Sequence, residues 1–499
     1  MPLVMSRPLS CRAKYDKNPV TVLHEGLKIM RSPISPVLLI GAIVIALAAG
    51  TGYLLFKDTT PPELALAQDI KIITPGQKLA VTASDKDSGI RSITVTIRKN
   101  SQMQVLAKNV YTDKAGTKTA EFAFKDTFLR DGAFNLIINA TDASFAGFGQ
   151  GNSTTREYAM TMDTSPPKVA FKTSYPYVRR GGSGCVSYRV SRDVEATGIR
   201  VKDLYFPGYK QENGDYVCFF AFPYFMDTQD YQPELEVTDF AGNKSLTRVP
   251  LYRVKQRFKT DTVRINDRFF DMKMPEFKAF YPDTTDQLTL FNKVNGELRG
   301  QNAQKLMEIG QESAPRALWN DSFMSLPNAA VKAGFAEHRS YLYNDVKQEV
   351  EATHLGLDLA SIARAPVPAG NDGVVVFADY LGIYGNLVVL DHGLGLQSLY
   401  SHMSEISVAV GQQVTRGEAL GRTGATGMAV GDHLHFGVLI SGLEVSPIEW
   451  LDRKWIRDNL TDRLEEAGTP GPQLVQPAPQ AEPKPETKPA APAKGGKKR

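Results

Sequence analysis

The chain has 499 residues, of which 42% are hydrophobic, 22% charged and 9% aromatic; this composition excludes wholesale disorder, a collagen and a multi-pass membrane protein. Its 58 Lys and Arg against 54 Asp and Glu leave a formal charge of +4, too balanced for a nucleic-acid partner. Three cysteines cannot form a dense disulfide scaffold.

Residues 1–36 carry six basic side chains (Arg7, Arg12, Lys14, Lys17, Lys28, Arg31) and two acids (Asp16, Glu25), and read as a basic cytoplasmic stub. Residues 37–56 follow with neither charge nor proline. About 20 apolar residues cross the hydrocarbon core, so a transmembrane helix is expected here. The basic excess before it places the N-terminus in the cytoplasm and the bulk outside, in a single pass. The rival reading is a cleaved signal peptide ending near Ala46-Leu47-Ala48; the length of the apolar run favours an uncleaved anchor. On the exported side, Cys185 and Cys218 are 33 positions apart. A disulfide between them is expected, worth about 3–4 kcal/mol by chain entropy, with two buried thiols as the alternative. Cys11 is expected as a free thiol.

Residues 58–255 contain a repeat. Asp58-Thr59-Thr60-Pro61-Pro62 returns as Asp163-Thr164-Ser165-Pro166-Pro167, and the Ser84–Ile90 segment has a looser echo at Ser191–Ile199. Ala140-Thr141-Asp142 near the end of the first copy matches Val237-Thr238-Asp239, which continues as Phe240-Ala241-Gly242-Asn243. Alternating runs such as Ile93-Thr94-Val95-Thr96-Ile97 predict half-buried antiparallel strands. Two β-sandwiches follow, over 58–163 and 164–255. They resemble bacterial immunoglobulin-like domains. Their expected role is that of a spacer, with binding of envelope protein partners as the alternative. Residues 256–330 read as an adaptor, with an amphipathic helix within 284–308 presenting Leu288, Phe291, Val294 and Leu298. Residues 467–499 are rich in Pro and Lys and read as a disordered tail.

Four of the seven histidines lie in three short segments: His354-Leu355-Gly356-Leu357-Asp358, Tyr400-Ser401-His402-Met403 and Gly431-Asp432-His433-Leu434-His435-Phe436. On a strand, His433 and His435 share one face. His354 and Asp358 add a second pair of metal-competent groups. Two His and one Asp suit a zinc that keeps an open position for water, with further histidines left to move protons. His392 and His338 receive structural readings.

The segment 333–451 resembles the LytM/lysostaphin-type zinc endopeptidases of peptidoglycan. The resemblance extends beyond the ligand letters to Arg339-Ser340-Tyr341, Ala369-Gly370-Asn371-Asp372-Gly373, Tyr384-Gly385-Asn386, Asp391-His392-Gly393, Gly411-Gln412-Gln413-Val414 and Gly424-Ala425-Thr426-Gly427. It implies one Zn2+ per chain on His354, Asp358 and His435, with His402 and His433 as the catalytic pair. The family often has Gly-Pro before the His-Leu-His triplet and Glu after the Phe. Asp432 and Gly437 occupy those positions here, which implies a changed cleft rather than loss of metal. The implied domain, residues 331–466, is an antiparallel β fold with a metal-floored groove, so the whole chain is expected to be mainly β. The implied protein is anchored in the bacterial cytoplasmic (inner) membrane, with its bulk in the periplasm, and hydrolyses peptide stems or cross-links through metal-activated water. The alternatives are a catalytically silent activator of other wall hydrolases, an envelope scaffold, or an adhesion protein acting through the sandwiches.

Overall fold

A computed structural model describes residues 35–468. Nearly all of the basic stub, Cys11 with it, and nearly all of the Pro/Lys-rich tail lie outside them. The described chain is mainly β. It opens with an exposed apolar helix, Pro36–Phe56, started by a proline in its first turn, where a missing N–H costs nothing. Its 21 residues rise about 30 Å, so by length and composition the helix can cross a membrane.

The first sandwich pairs two sheets. Glu63–Leu66, Lys78–Ser84 and Thr117–Ala123 form one; Ile72–Ile73, Ser153–Met162, Gly132–Asp142, Ile90–Lys99 and Gln102–Val110 form the other. The alternation in sequence becomes alternation in burial. Ile93, Val95 and Ile97 face Leu79 and Val81 in a closed core of their own, each such side chain worth about 1.5–3 kcal/mol.

The second sandwich also has two main sheets. Tyr209–Lys210, Tyr216–Ala221, Ser183–Val190 and Val169–Phe171 form the first; Leu204–Pro207, Ala196–Val201, Glu234–Thr238 and Lys244–Arg248 form the second. Unlike the first sandwich, it shares a core with the C-terminal region. The strand Tyr216–Ala221 is buried at every position, the mark of a sheet covered on both faces. Phe219 meets the indole of Trp450 edge-on, Trp450 Nε1 donates to Ser183 Oγ at 3.0 Å, and the Ser183 N–H donates to Glu449 Oε2 at 2.8 Å.

This arrangement corrects the disulfide expectation. Cys185 stands opposite Phe219, and Cys218 opposite Val186. Neighbouring strand residues point to opposite faces, so the two sulfurs are on opposite sides of the sheet. Cys218 Sγ reaches the Phe206 carbonyl of the facing sheet at 3.2 Å. Both are free, buried thiols; burial pushes the Cys185 thiol up to about 12 and raises the Cys218 thiol well above its ordinary value. A thiol titration of denatured, non-reduced protein should count three; a count of one would mean that the bridge forms.

The C-terminal region is built on an antiparallel sheet in the order Ala330–Ala333, Leu357–Ala360, Leu434–Ile440, Leu396–Met403, Asn386–Gly393, Gly373–Tyr380, Gln413–Val414, with Leu443–Val445 paired to the end of Leu434–Ile440. Its two faces split by residue parity. Val388, Leu390, Tyr400, Phe436 and Val438 join the core shared with the second sandwich. Leu387, Val389, Leu399 and Leu439 pack against Phe270, Phe291, Val294 and Leu298. These last come from the helix Asp267–Lys273, capped by Asn266, and from a helical run over Gln287–Lys293, Val294–Leu298 and Arg299–Ile309, capped by Asp286. A three-stranded sheet, Thr260–Ile265, Glu337–Tyr343 and Val346–His354, flanks this face.

Candidate metal centre

His354 ends its strand, and Asp358 and His435 stand directly opposite each other on adjacent strands. This register brings three donors together. His354 Nε2 lies 2.8 Å from Asp358 Oδ1 and 2.9 Å from His435 Nδ1, and His435 Nδ1 lies 3.0 Å from Asp358 Oδ1. Gly356 permits the approach: a Cβ there would sit 2.5 Å from His435 Nε2. His433 is two residues before His435 and faces the same way, with Nε2 3.4 Å from Asp358 Oδ1.

His402 reaches the site by a different route. Its φ of +63°, sparsely populated for a non-glycine residue, breaks the strand's alternation. Its ring then lies 5.0 Å from that of His433 and 5.7 Å from that of His435.

Backbone carbonyls orient three of these rings. His354 Nδ1 donates to Gly334 O at 2.8 Å, His402 Nδ1 to Thr426 O at 2.9 Å, and His433 Nδ1 to Gly431 O at 2.7 Å. Each bond fixes the tautomer and leaves Nε2 available. Burial alone would raise the Asp358 carboxyl, but hydrogen bonds from His354, His433 and His435 outweigh it and hold the group well below the usual carboxylate range. Burial pushes His402 well below the ordinary imidazole value, helped by His435 and His433, and pushes His435 down to about 4. Burial also acts downward on His433, yet its bond to Asp358 carries it above the ordinary value. Two imidazoles and a carboxylate converging on one point form a donor set suited to zinc.

The site opens into a groove of about 820 Å³, walled on one side by Phe269, Met272 and Arg299 of the adaptor. Arg339 Nη2 lies 3.6 Å from Asp358 Oδ2; the sequence marked Arg339 only as part of a motif. The carbonyls of Gly334, Thr426 and Gly431 carry no side-chain signature and could not be read from sequence.

Residues 352–447 match the family model described as peptidase family M23. This segment is a family M23 domain. The chain is 42% identical over 95 residues to the DD-carboxypeptidase/endopeptidase Mpg of Neisseria meningitidis serogroup B, covering 19% of this chain and 22% of that protein. It is 39% identical over 98 residues to the peptidoglycan DD-endopeptidase ShyA of Vibrio cholerae, covering 20% and 23%. The matched stretch thus spans less than a quarter of these relatives' length. Among solved structures, the catalytic domain of lysostaphin from Staphylococcus simulans is 26% identical, covering 26% of this chain and 98% of that one, with a TM-score of 0.22. A zinc-containing peptidase from Vibrio cholerae is 14% identical, covering 83% and 95%, with a TM-score of 0.24.

Other positions singled out in the sequence have structural surroundings of their own. Asp432 Oδ1 accepts from Thr423 Oγ1 at 2.6 Å and Oδ2 from the Arg364 N–H at 3.0 Å, fastening the loop that presents His433. Gly437 stands opposite Leu399 on the face that carries His435, two positions farther along the strand, where a Cβ would meet the Leu399 side chain. His392 is buried between the Asp372 carbonyl at 2.6 Å and Ser398 Oγ at 2.7 Å. His338 pairs with Glu351 at 3.0 Å on the exposed side of its strand.

Proposed function

We propose that the protein is a membrane-anchored zinc endopeptidase that hydrolyses peptide cross-links or stems of peptidoglycan on the outer side of the cytoplasmic membrane. The observation that carries this reading is the convergence of His354, Asp358 and His435 beside His402 and His433 at the floor of an open groove. The M23 domain and the names of its relatives support the substrate class, and the exposed apolar helix supports the anchor.

His354, Asp358 and His435 would hold the zinc. When bound, the metal supplies Lewis acidity for the scissile carbonyl and the attacking water. His402 and His433 stand beside that point, each with Nδ1 held by a backbone carbonyl and with His433 Nε2 3.4 Å from Asp358 Oδ1. Between them they accept the proton of the attacking water, return it to the leaving amine and donate a hydrogen bond to the developing oxyanion. The groove admits an extended peptide, and the adaptor wall restricts its approach. The two immunoglobulin-like sandwiches act as the spacer between membrane and catalytic domain.

Incubating purified sacculi with the zinc-loaded full-length protein tests this. Mass spectrometry should find released fragments with new ends at a D,D cross-link, the bond named in the relatives' descriptions. Chelation should stop the release, and added zinc should restore it. Sacculi left intact by fully zinc-loaded protein would overturn the reading.

A further inference from the structure

The two sandwiches carry the same lock, made with different chemistry. In the second, Arg192 Nη1 bonds Asp163 Oδ2 and lies 3.4 Å from Asp239 Oδ2. The Ser165 N–H donates to Asp163 Oδ1 at 3.0 Å, the Ala241 and Asn243 N–H groups to Asp239 Oδ1 at 3.0 and 2.9 Å, and Asn243 Nδ2 to the Asp163 carbonyl at 3.0 Å. The first sandwich repeats this set. The Thr60 N–H donates to Asp58 Oδ1 at 3.0 Å, the Ser144 and Asn152 N–H groups to Asp142 Oδ1 at 3.0 and 2.8 Å, and Asn152 Nδ2 to the Asp58 carbonyl at 3.3 Å. Asp58 therefore corresponds to Asp163, Asp142 to Asp239 and Asn152 to Asn243. Ser84-Asp85 aligns with Ser191-Arg192, so Asp85 stands where the second sandwich has its guanidinium.

The outcome is three carboxylates in place of two carboxylates and a cation. One oxygen each of Asp58, Asp85 and Asp142 lies within 4.8 Å of the others. The ion pairs of this sandwich among the described residues, Arg98–Glu157 and Lys118–Asp113, involve other acids. Asp142 is fully buried, Asp85 is 5% exposed and Asp58 9% exposed. Asp58 Oδ2 is shielded from solvent and has no hydrogen-bond donor. Buried like charges repel unless a cation compensates them. The donors are oxygens only, without His or Cys, which selects a hard cation. Calcium, with six to eight oxygen ligands in irregular geometry, fits better than zinc.

We propose that Asp58, Asp85 and Asp142 form a calcium site that fastens the segment following the apolar helix to the first sandwich, and that Arg192 makes the equivalent fastening in the second sandwich without a metal. Asp58 lies two residues beyond the helix Pro36–Phe56, so bound calcium fixes the direction in which the body leaves that helix.

The test is calorimetric titration of the full-length protein in detergent micelles, loaded with zinc beforehand, with calcium chloride. One calcium per chain is expected, with a Kd of about 10⁻⁴–10⁻³ M, the range of extracellular modules. Asp85→Arg copies the second sandwich and should remove the calcium heat while retaining zinc. Arg192→Asp makes the converse change and should raise the stoichiometry to two. Absence of saturable calcium binding in the wild type overturns the proposal. So does undiminished binding in folded Asp85→Arg protein, or an unchanged stoichiometry in Arg192→Asp protein.

Discussion

Full-length protein carrying His435→Ala is expected to hold no zinc and to release nothing from sacculi, whereas His433→Ala should keep its zinc and lose activity by about 10²–10⁴-fold. The two residues are two positions apart on one face, and only their distances to the other donors separate them. His435 Nδ1 is within 3.0 Å of both partner donors, so its loss leaves two protein ligands where a catalytic zinc needs three. His433 Nε2 stands farther out, at 3.4 Å from Asp358 Oδ1, where it can meet a substrate atom. Neither change should unfold the strand, because the neighbouring Leu434 and Phe436 anchor it from the opposite face. Zinc content and fragment release are measured on the same preparations. A His435→Ala protein that still digests sacculi would remove the metallopeptidase reading. A wild-type protein with a full complement of zinc and no hydrolysis, yet full activity in cells, would favour the silent activator.

The block formed by the second sandwich and the M23 domain should melt at progressively lower temperature, relative to a Glu449→Gln variant, as the pH rises from about 4.5 to about 7. Burial pushes the Glu449 carboxyl up to about 7 from its ordinary 4.5, against a smaller opposing effect of the Ser183 N–H. Between those values the folded chain holds a proton that the unfolded chain has released, so stability falls with rising pH. The contribution is fully present below about 4.5 and gone above about 7. Its size is on the order of 3 kcal/mol, at about 1.4 kcal/mol per pH unit. Glutamine keeps an acceptor for the Ser183 N–H and cannot ionise, so the variant lacks this slope. Calorimetric scans of both proteins across that range would show a widening gap. A constant gap would mean that Glu449 is not titrating in the seam.

Much of the site was legible because its chemistry sits in side chains at strand spacing. His433 and His435 share a face by simple alternation, and the Asp358–His435 register supplies the rest. His402 was legible as a residue but not as a conformation: its positive φ is a backbone property, and alternation alone would send the ring to the opposite face. The Gly334, Thr426 and Gly431 carbonyls left no trace in the sequence, since any residue offers one. The disulfide expectation failed for a related reason. Loop-closure entropy depends on the separation of Cys185 and Cys218 along the chain, whereas bonding depends on which face each occupies. The seam with the second sandwich had a faint signal in Tyr216-Val217-Cys218-Phe219-Phe220-Ala221, an unbroken apolar run that half-buried alternation does not produce.

The position of Trp450 bears on how this molecule can be cut. A fragment beginning near 331 would carry Trp450 and the Val388, Tyr400 and Phe436 face of the sheet, but without the Ser183–Val190 and Tyr216–Ala221 strands that help to close that core. Such a fragment would present a broad greasy flank to water and clump. The smallest well-behaved catalytic piece should therefore start near 166 and keep the chain through 468. The second sandwich then behaves as part of the body of the M23 domain.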